Sequence, residues 1–211
     1  MLNAGVLTFQ EFAMREPLPL AQIQEVVLEF LRGREDAVVF GAQAVNAYVG
    51  ESRMTQDIDL LSTRAEELAE ELREHLSQKF HIAVRVREVG VGKGWRLYQV
   101  QKGRNRHLVD LRSIEQLPDT RTIENIKVLA PAALVASKVI SYHARRGKPK
   151  SGTDWRDVAM LLLTFPELKT ETGAVAEQLR DAGADEYVLD VWRGLVAQEI
   201  EFENEDEDLD F

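Results

Sequence analysis

The chain has 211 residues, of which 45% are hydrophobic and 29% are charged, a balance typical of a folded globular protein and not of a disordered or fibrous one. It contains no cysteine, which excludes disulfides, thiolate zinc sites and cysteine nucleophiles. No apolar stretch approaches the length of about 18 residues that spans a bilayer, and the first residues lack the pattern of a secretion signal. We therefore expect a cytoplasmic protein that does not enter a membrane.

The net charge of −10 is unevenly distributed along the chain. Residues 199–211 hold eight acids and no bases, whereas nine bases and only two acids lie between Lys79 and Arg112. A further basic run covers Ala144 to Lys150. The body of the chain thus has basic zones that favour an anionic partner. The acidic tail is either a solvated terminus or a segment that screens a basic site or docks a basic partner.

The first half of the chain alternates helical and strand-like segments. Apolar residues at intervals of three and four predict helices, and short apolar or alternating runs predict strands. The predicted helices are Leu20–Leu31, Ala42–Val49 and Arg64–Phe80, and the predicted strands are Ala37–Phe40, Ile58–Leu61, His81–Val89, Trp95–Gln101 and His107–Ile114. The segment GVGKG joins two of these strands and is typical of a hairpin turn rather than of a phosphate-binding loop.

From Pro131 onward the pattern is helical throughout. The predicted helices run to about Arg145, through DWRDVAMLLL after a cap at Thr153 or Asp154, near Gly173–Asp181 and over Asp185–Ile200. We therefore expect an α/β core with an N-terminal helix over residues 1–128, a helical part over 129–200 and an acidic tail over 201–211. The predicted fold class is α/β (α+β), with a mixed sheet and flanking helices.

The tetrapeptide DIDL is the most informative motif for chemistry. On a strand, residues two apart point to the same face, so Asp57 and Asp59 project together. Adjacent carboxylates repel each other unless cations neutralise them, and hard divalent ions with oxygen ligands do this well. A third acid, Asp110, lies in the apolar strand context HLVDL. Exposed acids at the start of a loop would give the same motif, so the segment that precedes it decides between the two interpretations.

That preceding segment closes a strand at Phe40 and opens a helix at Gly41. Glycine lets the backbone approach a ligand closely, and the free amides of a helix N-terminus bind phosphate. Arg53 and Thr55 then stand just before the paired acids. The order of these features is specific and favours a nucleotide site: a strand, a glycine, a helix, an arginine and a strand with two acids.

This order resembles the polymerase-β-like nucleotidyltransferase superfamily, whose signature is a hydrophobic-Gly-(Gly or Ser) turn, an Asp-x-Asp motif and a third acid on a later strand. The stretch VVFGAQAVNAYVGESRMTQDIDLLS is most similar to the AbiEii-type bacterial nucleotidyltransferases of toxin–antitoxin and phage-defence systems. The resemblance extends into the helical part, where such proteins carry a lysine, then an arginine, then acids that open the next helix. The matching residues there are Lys138, Arg145, Asp154 and Asp157.

The resemblance implies a nucleotidyltransferase fold and the transfer of NMP from an NTP to a hydroxyl. It implies that Asp57, Asp59 and Asp110 hold two Mg²⁺ ions, with Asp110 able to accept the proton of the acceptor hydroxyl. Lys138 would contact phosphates as a further catalytic residue. The implied nucleotide-binding residues are Gly41, Ala42, Arg53, Thr55, Arg145, Asp154 and Asp157.

Several alternatives remain open at this stage. Arg53 binds phosphate or merely neutralises the paired acids, and Arg145 contacts the ligand or clips two helices together through Asp154 or Asp157. Ala42 stands where active members often carry glycine or serine. This residue favours an alternative function, a non-catalytic nucleotide-binding module that acts with a regulatory partner. A third reading makes the acids structural in an interaction domain.

The basic strands between Arg85 and Arg106 favour RNA, such as a tRNA end, as the acceptor. A hydroxyl on a protein or on an aminoglycoside-like small molecule is the other option. The family resemblance adds a cognate antitoxin-type protein as an expected partner.

Overall fold

The computed structural model describes residues 18–202, and the chain is divided after Ala130 into an α/β unit and a helical unit. The elements of the α/β unit are α1 (Leu20–Leu31), β1 (Ala37–Phe40), α2 (Gly41–Tyr48), β2 (Ile58–Ser62), α3 (Ala65–Phe80), β3 (Val84–Glu88), β4 (Gly94–Gln99), β5 (Arg106–Ser113), β6 (Thr120–Ile123) and β7 (Ile126–Leu129). Those of the helical unit are α4 (Pro131–Ala144), α5 (Lys150–Thr164), a 3₁₀ turn (Pro166–Leu168), α6 (Ala174–Asp181) and α7 (Glu186–Ala197). The predicted α/β class is confirmed.

The strands found within residues 18–202 form one seven-stranded mixed sheet in the order β3-β4-β5-β2-β1-β7-β6. β1 pairs antiparallel with β2 and parallel with β7, and β2 pairs parallel with β5. β3, β4 and β5 form an antiparallel meander. The strands that carry the predicted acids are therefore neighbours at the centre of the sheet.

Burial follows the alternation of the strand sequences. Ile58 and Leu60 of β2 are fully buried, whereas Asp59 between them is partly exposed on the other face. β1 lies between β2 and β7 and is buried at every residue, as a near-continuous apolar strand should be when both faces are covered. Helix α3 packs against β3, β4 and β5. Leu68, Leu72 and Leu76 on its apolar face are buried.

The connection between β3 and β4 is the predicted hairpin turn. Gly90 and Gly92 both adopt positive φ, +65° and +66°, which non-glycine residues rarely adopt.

The sequence analysis missed a second hairpin, β6 to β7. Its two loop residues, Glu124 and Asn125, also have positive φ, as a type I′ turn requires, but they lack the glycine that usually signals such a turn.

The helical unit is organised around α4, which packs against α5, α6 and α7. The expectation that Thr153 or Asp154 caps α5 is wrong, because the helix already begins at Lys150 and both residues lie inside it. Pro149 occupies the N-cap position, and Asp154 is buried within the helix. In α7 the N-cap residue is Asp185, whose side chain accepts a hydrogen bond from the Val188 amide at 3.0 Å.

None of the helices within residues 18–202 is long and apolar enough to cross a membrane. Two expectations, on the N-terminal segment before residue 18 and on most of the acidic tail, fall on residues outside the described part of the chain.

An arginine–aspartate pair anchors the segment that leads into β1. Arg34 donates to Asp36 from Nε and Nη2, at 2.9 and 2.8 Å, and its Nη1 lies 2.7 Å from Glu71 on α3. These hydrogen bonds with Arg34 lower the pKa of Asp36 below its usual 3.8. The pair therefore ties the start of the central strand to the helix that covers the sheet.

We expect Asp36→Asn to lower the free energy of unfolding at neutral pH by about 1 kcal/mol, because it removes one charge of a two-pronged pair. The pKa of Asp36 is lower in the folded state, so its contribution is complete above 3.8 and is lost as the pH falls through the lowered value. Urea unfolding of parent and variant at pH 7 and near pH 3 checks this. A difference in stability that stays constant over that range would contradict the assignment.

Candidate functional site

The site is built on two aspartates that lie side by side on the sheet. The parallel pairing of β2 with β5 places Asp59 directly opposite Asp110. Neighbouring strands are about 4.8 Å apart, so the two carboxylates repel each other unless a cation lies between or beside them. The structure thus brings together two of the three predicted metal ligands. Asp59 and Asp110 are 51 residues apart in sequence because α3, β3 and β4 lie between their strands.

Gly41 holds the start of α2 against one of these carboxylates. The antiparallel pairing of β1 with β2 places Phe40 opposite Asp59. Gly41 then turns into the helix with φ +67°, and a Cβ atom at this position would lie 1.9 Å from Oδ2 of Asp59. No side chain fits there. The first turn of α2, which offers unpaired backbone amides, therefore begins in contact with the acidic pair.

Asp57 immediately precedes β2 and is held by a histidine. Its Oδ2 lies 3.0 Å from Nδ1 of His107, and Nε2 of the same ring lies 3.2 Å from the carbonyl oxygen of Val109. Both partners are acceptors, so the ring donates to both only when both nitrogens carry a proton. A register shift at Leu97/Tyr98 sets His107 opposite Tyr98, and the two rings stack at a centroid distance of 5.0 Å.

Asp110 is held by an arginine of the next strand. Arg96 on β4 is its cross-strand partner, and Nε of Arg96 lies 3.2 Å from Oδ2 of Asp110. The negative charge of Asp110 is the main cause that raises the pKa of Arg96. Two of the three acids are therefore each held by a side chain of the chain itself, Asp57 by His107 and Asp110 by the positively charged Arg96.

Two buried amides brace the loop that leads from α2 to Asp57. Asn46 of α2 pairs with both backbone groups of Arg53: its Nδ2 donates to the carbonyl at 2.7 Å and its Oδ1 accepts from the amide at 3.0 Å. Gln24 of α1 donates to the carbonyl of Thr55 at 3.0 Å, and the Thr55 hydroxyl donates to the carbonyl of Asp57 at 3.0 Å. The predicted Arg-x-Thr-x-Asp motif thus has a defined backbone that positions the carboxylate.

The first turn of α2 contains a buried polar side chain without a partner. Gln43 is 1% exposed, and neither its Nε2 nor its Oε1 finds a hydrogen-bond partner within residues 18–202. Burying such an amide unpaired costs about 1–3 kcal/mol, and groups of this kind in native proteins mark places where a ligand or water completes the bonding. Ala42 beside it is also buried and offers only its backbone.

The residues fit a divalent cation by ligand type. Asp57, Asp59 and Asp110 supply only oxygen, which Mg²⁺ prefers, and the last two are adjacent across the sheet. Among the described residues, no three acidic or histidine side chains already form a group that could hold an ion. The contacts of Asp57 with His107 and of Asp110 with Arg96 are consistent with this, since each carboxylate is engaged by a side chain of a neighbouring strand.

The remaining predicted residues lie in the helical unit and form two ion pairs, one between α4 and α5 and one between α5 and Arg145, which directly follows α4. Nζ of Lys138 lies 2.7 Å from Asp157, and both side chains are buried. Nη1 of Arg145 lies 2.9 and 2.7 Å from the two carboxylate oxygens of Asp154. The pairing of Arg145 with Asp154, which the sequence analysis left open, is therefore present. The ion pair of Lys138 with Asp157 is a second contact to the same helix, α5.

The sequence analysis did not single out several residues of this site. It assigned no role to His107, counted Arg96 only as part of a basic run, and did not consider Gln43 or Asn46. Arg112, whose guanidinium lies 4.8 Å from the centre of the Phe40 ring, was likewise only counted. The alternation of β4 and β5 could have suggested Arg96, but the bulge that moves His107 has no sequence signal.

A family model described as nucleotidyl transferase AbiEii toxin, Type IV TA system, matches residues 28–210. The chain belongs to the AbiEii nucleotidyltransferase family. The predicted resemblance is thereby confirmed. No curated protein sequence matches this AbiEii chain.

Solved structures of low sequence identity share the fold. The Megavirus polyadenylate synthase matches with a TM-score of 0.60 and 16% identity over 74% of this chain and 34% of that chain. JHP933 from Helicobacter pylori matches with a TM-score of 0.57 and 12% identity over 90% and 81% of the two chains. A putative nucleotidyltransferase from H. pylori gives 0.53 and 10% over 90% and 93%. The AbiEii chain thus spans about a third of the viral synthase and most of the bacterial proteins.

We expect Gly41→Ala to destabilise the protein by about 2 kcal/mol or more, because the new Cβ meets the Asp59 carboxylate and the left-handed backbone is strained for alanine. Thermal or urea unfolding measures the effect. Gly50→Ala is the matched control, since a Cβ there meets nothing within 4 Å and the backbone lies outside the left-handed region. Equal stability of the two variants would show that the contact of Gly41 with Asp59 is not tight.

Proposed function

We propose that this chain is a Mg²⁺-dependent nucleotidyltransferase that moves NMP from an NTP to a hydroxyl acceptor. The observation that carries the proposal is the adjacency of Asp59 and Asp110 across the sheet, with Gly41 and the start of α2 pressed against the Asp59 carboxylate. This arrangement sets an anion-binding helix terminus beside a pair of carboxylates, as the transfer of a phosphoryl group requires.

The three aspartates have two tasks in this proposal. Asp57, Asp59 and Asp110 would hold the cations that accompany the triphosphate. The acceptor oxygen attacks the α-phosphorus, the bond between the α-phosphorus and the bridging oxygen breaks, and pyrophosphate leaves. Asp110 accepts the proton of the attacking hydroxyl.

Bound Mg²⁺ would supply electrostatic stabilisation of the attacking and leaving oxygens. The chain's own contribution is to hold the carboxylates in register. His107 orients Asp57 through a 3.0 Å contact, and Arg96 orients Asp110 through one of 3.2 Å. We therefore regard His107 and Arg96 as positioning residues.

The triphosphate binds at the start of α2 in this proposal. Gly41 and Ala42 offer backbone amides, and the unpaired amide of Gln43 gives the same turn a polar group that a ligand would satisfy. Arg53 and Thr55 lie on the braced loop that leads to Asp57. Their backbone positions are held by buried amides, so their side chains remain candidates for phosphate contacts.

We also propose roles for the two ion pairs of the helical unit. Lys138 would contact phosphates, and Arg145, Asp154 and Asp157 would contribute to nucleotide binding, as the family resemblance implies. The ion pair between a buried lysine and a fully buried aspartate is costly to break, so Asp157 is best viewed as the group that holds Lys138 in place.

The acceptor and the setting belong to the same proposal. The basic strands favour RNA, such as a tRNA end, over a protein hydroxyl or a small molecule. The family description names a toxin of a type IV toxin–antitoxin system, so we propose a cytoplasmic role in such a system or in phage defence, with a cognate antitoxin-type partner.

One observation favours a second function. Ala42 is buried and has no hydroxyl to hold a phosphate oxygen. A non-catalytic module that binds nucleotide and acts with a regulatory protein would tolerate this residue better than an enzyme would.

Labelling of an acceptor separates the two functions. The full chain is incubated with Mg²⁺, each α-labelled NTP in turn and total RNA or cell lysate, and the products are digested with ribonuclease or protease to identify the labelled class. Transfer of label supports the enzyme. Binding of Mg·NTP by calorimetry without transfer would support the second function, and the absence of both would contradict nucleotide chemistry at this site.

We expect Asp59→Asn to reduce transfer by about 100-fold or more, because one ligand charge is lost from the reacting centre. The melting temperature should stay the same or rise, since the variant removes the repulsion with Asp110. Glu66→Gln, an exposed acid of α3, is the control for the loss of one negative charge. Transfer by Asp59→Asn at the parent rate would show that the site is assigned wrongly.

A further inference from the structure

The open face of the meander next to Asp110 is basic. On the edge strand β3, Val84 and Val86 are half-buried, whereas Arg85 and Arg87 are exposed on the other face. Alternation along β3 is therefore regular, and the two arginines project from the same side of the sheet. In a chain with a net charge of −10, such a concentration of exposed arginines is not a general property of the surface.

The register connects these arginines to the acidic pair. Arg87 lies opposite Arg96, Arg96 opposite Asp110, and Asp110 opposite Asp59. Directly opposed residues share a face of the sheet. A row of side chains therefore crosses four strands, from the edge strand β3 to the acidic pair. Its length is three strand spacings of about 4.8 Å each, which exceeds the size of a single phosphate group.

A second row runs beside the first. Arg85 lies opposite Tyr98, and Tyr98 lies opposite His107, on whose ring it stacks. His107 in turn contacts Asp57. Both rows therefore lead from the edge strand to the proposed metal ligands.

Two shallow concavities lie along these rows. One, of about 240 Å³, is lined by Arg85, Arg87, Tyr98 and Asn105. The other, of about 190 Å³, is lined by Arg87, Arg96 and Tyr98 together with the turn that contains Gly90. Each is smaller than the pockets of about 300–1,000 Å³ that enclose whole small ligands, so each suits one unit of an extended molecule.

We propose that this face, formed by Arg85, Arg87, Arg96, Tyr98 and Asn105, binds the sugar-phosphate backbone of a single-stranded RNA acceptor whose terminal hydroxyl reaches Asp110. The inference rests on the proposed nucleotidyltransferase function and names the class and the path of its acceptor. Guanidinium groups bind phosphates in a bidentate manner, and an aromatic ring among them is typical of single-strand sites. Glu88, the one acid among the described residues that line either concavity, is engaged by the amide of Gly92.

The test is the binding of a 5′-fluorescein-labelled 12-nucleotide RNA to the full chain, measured by anisotropy at several KCl concentrations without NTP. We expect the double variant Arg85→Glu/Arg87→Glu to bind about tenfold more weakly or worse, with a salt slope smaller by about 1.4, because two phosphate contacts are lost. The charge-matched control is Arg32→Glu/Lys79→Glu, two exposed bases outside this face, which should bind like the parent.

Two further measurements keep the inference falsifiable. Circular dichroism and Arg85→Lys/Arg87→Lys, which retains the charge, separate loss of binding from loss of folding. Mg·NTP binding by calorimetry should be unchanged in the glutamate variant, so failure of the nucleotide site and failure of the RNA face give different results. The inference is overturned if the parent does not bind the RNA, if the glutamate variant binds it as well as the parent, or if DNA of the same sequence binds equally.

Discussion

The contact between Gly41 and the Asp59 carboxylate is the constraint on which the site depends. A side chain at position 41 would collide with Asp59, so only glycine fits at the point where the chain turns from β1 into α2. The same register that creates this contact sets Asp110 on the other side of Asp59. An anion-binding helix terminus and a pair of like charges are thus forced together by strand pairing, an arrangement that stability alone would not favour.

The chain offsets this cost with contacts from its own side chains. Asp57 is turned to His107 and Asp110 to Arg96, so the fold tolerates three acids in one region. These partners are partly exposed, with side-chain accessibilities of 26% and 41%, and exposed ion pairs are weak. Divalent cations with a bound triphosphate could therefore replace them at small cost. The positioning residues and the proposed RNA face share the same strands, which connects acceptor binding to the reacting centre.

Local patterns were sufficient to predict the α/β class and the central strands. Asp59 and Asp110 each lie between apolar residues that the structure buries, and this alternation is what a strand with one covered face produces. The features that could not be predicted depend on pairing between distant segments. They are the bulge that moves His107 towards Asp57, the strand register that places Arg96 opposite Asp110, and the buried side-chain amides that hold the loop between α2 and Asp57. The β6–β7 hairpin was missed because Glu124 and Asn125 form its turn without glycine.

The most direct test of the account is the position of metal ions in crystals grown with Mn²⁺ and a non-hydrolysable NTP analogue, located by anomalous scattering. The account predicts two Mn²⁺ ions about 4 Å apart, with Asp59 contacting both, Asp57 and Asp110 completing the ligand set, and the triphosphate at the start of α2. Manganese bound elsewhere, with Asp57 still on His107 and Asp110 still on Arg96, would contradict it.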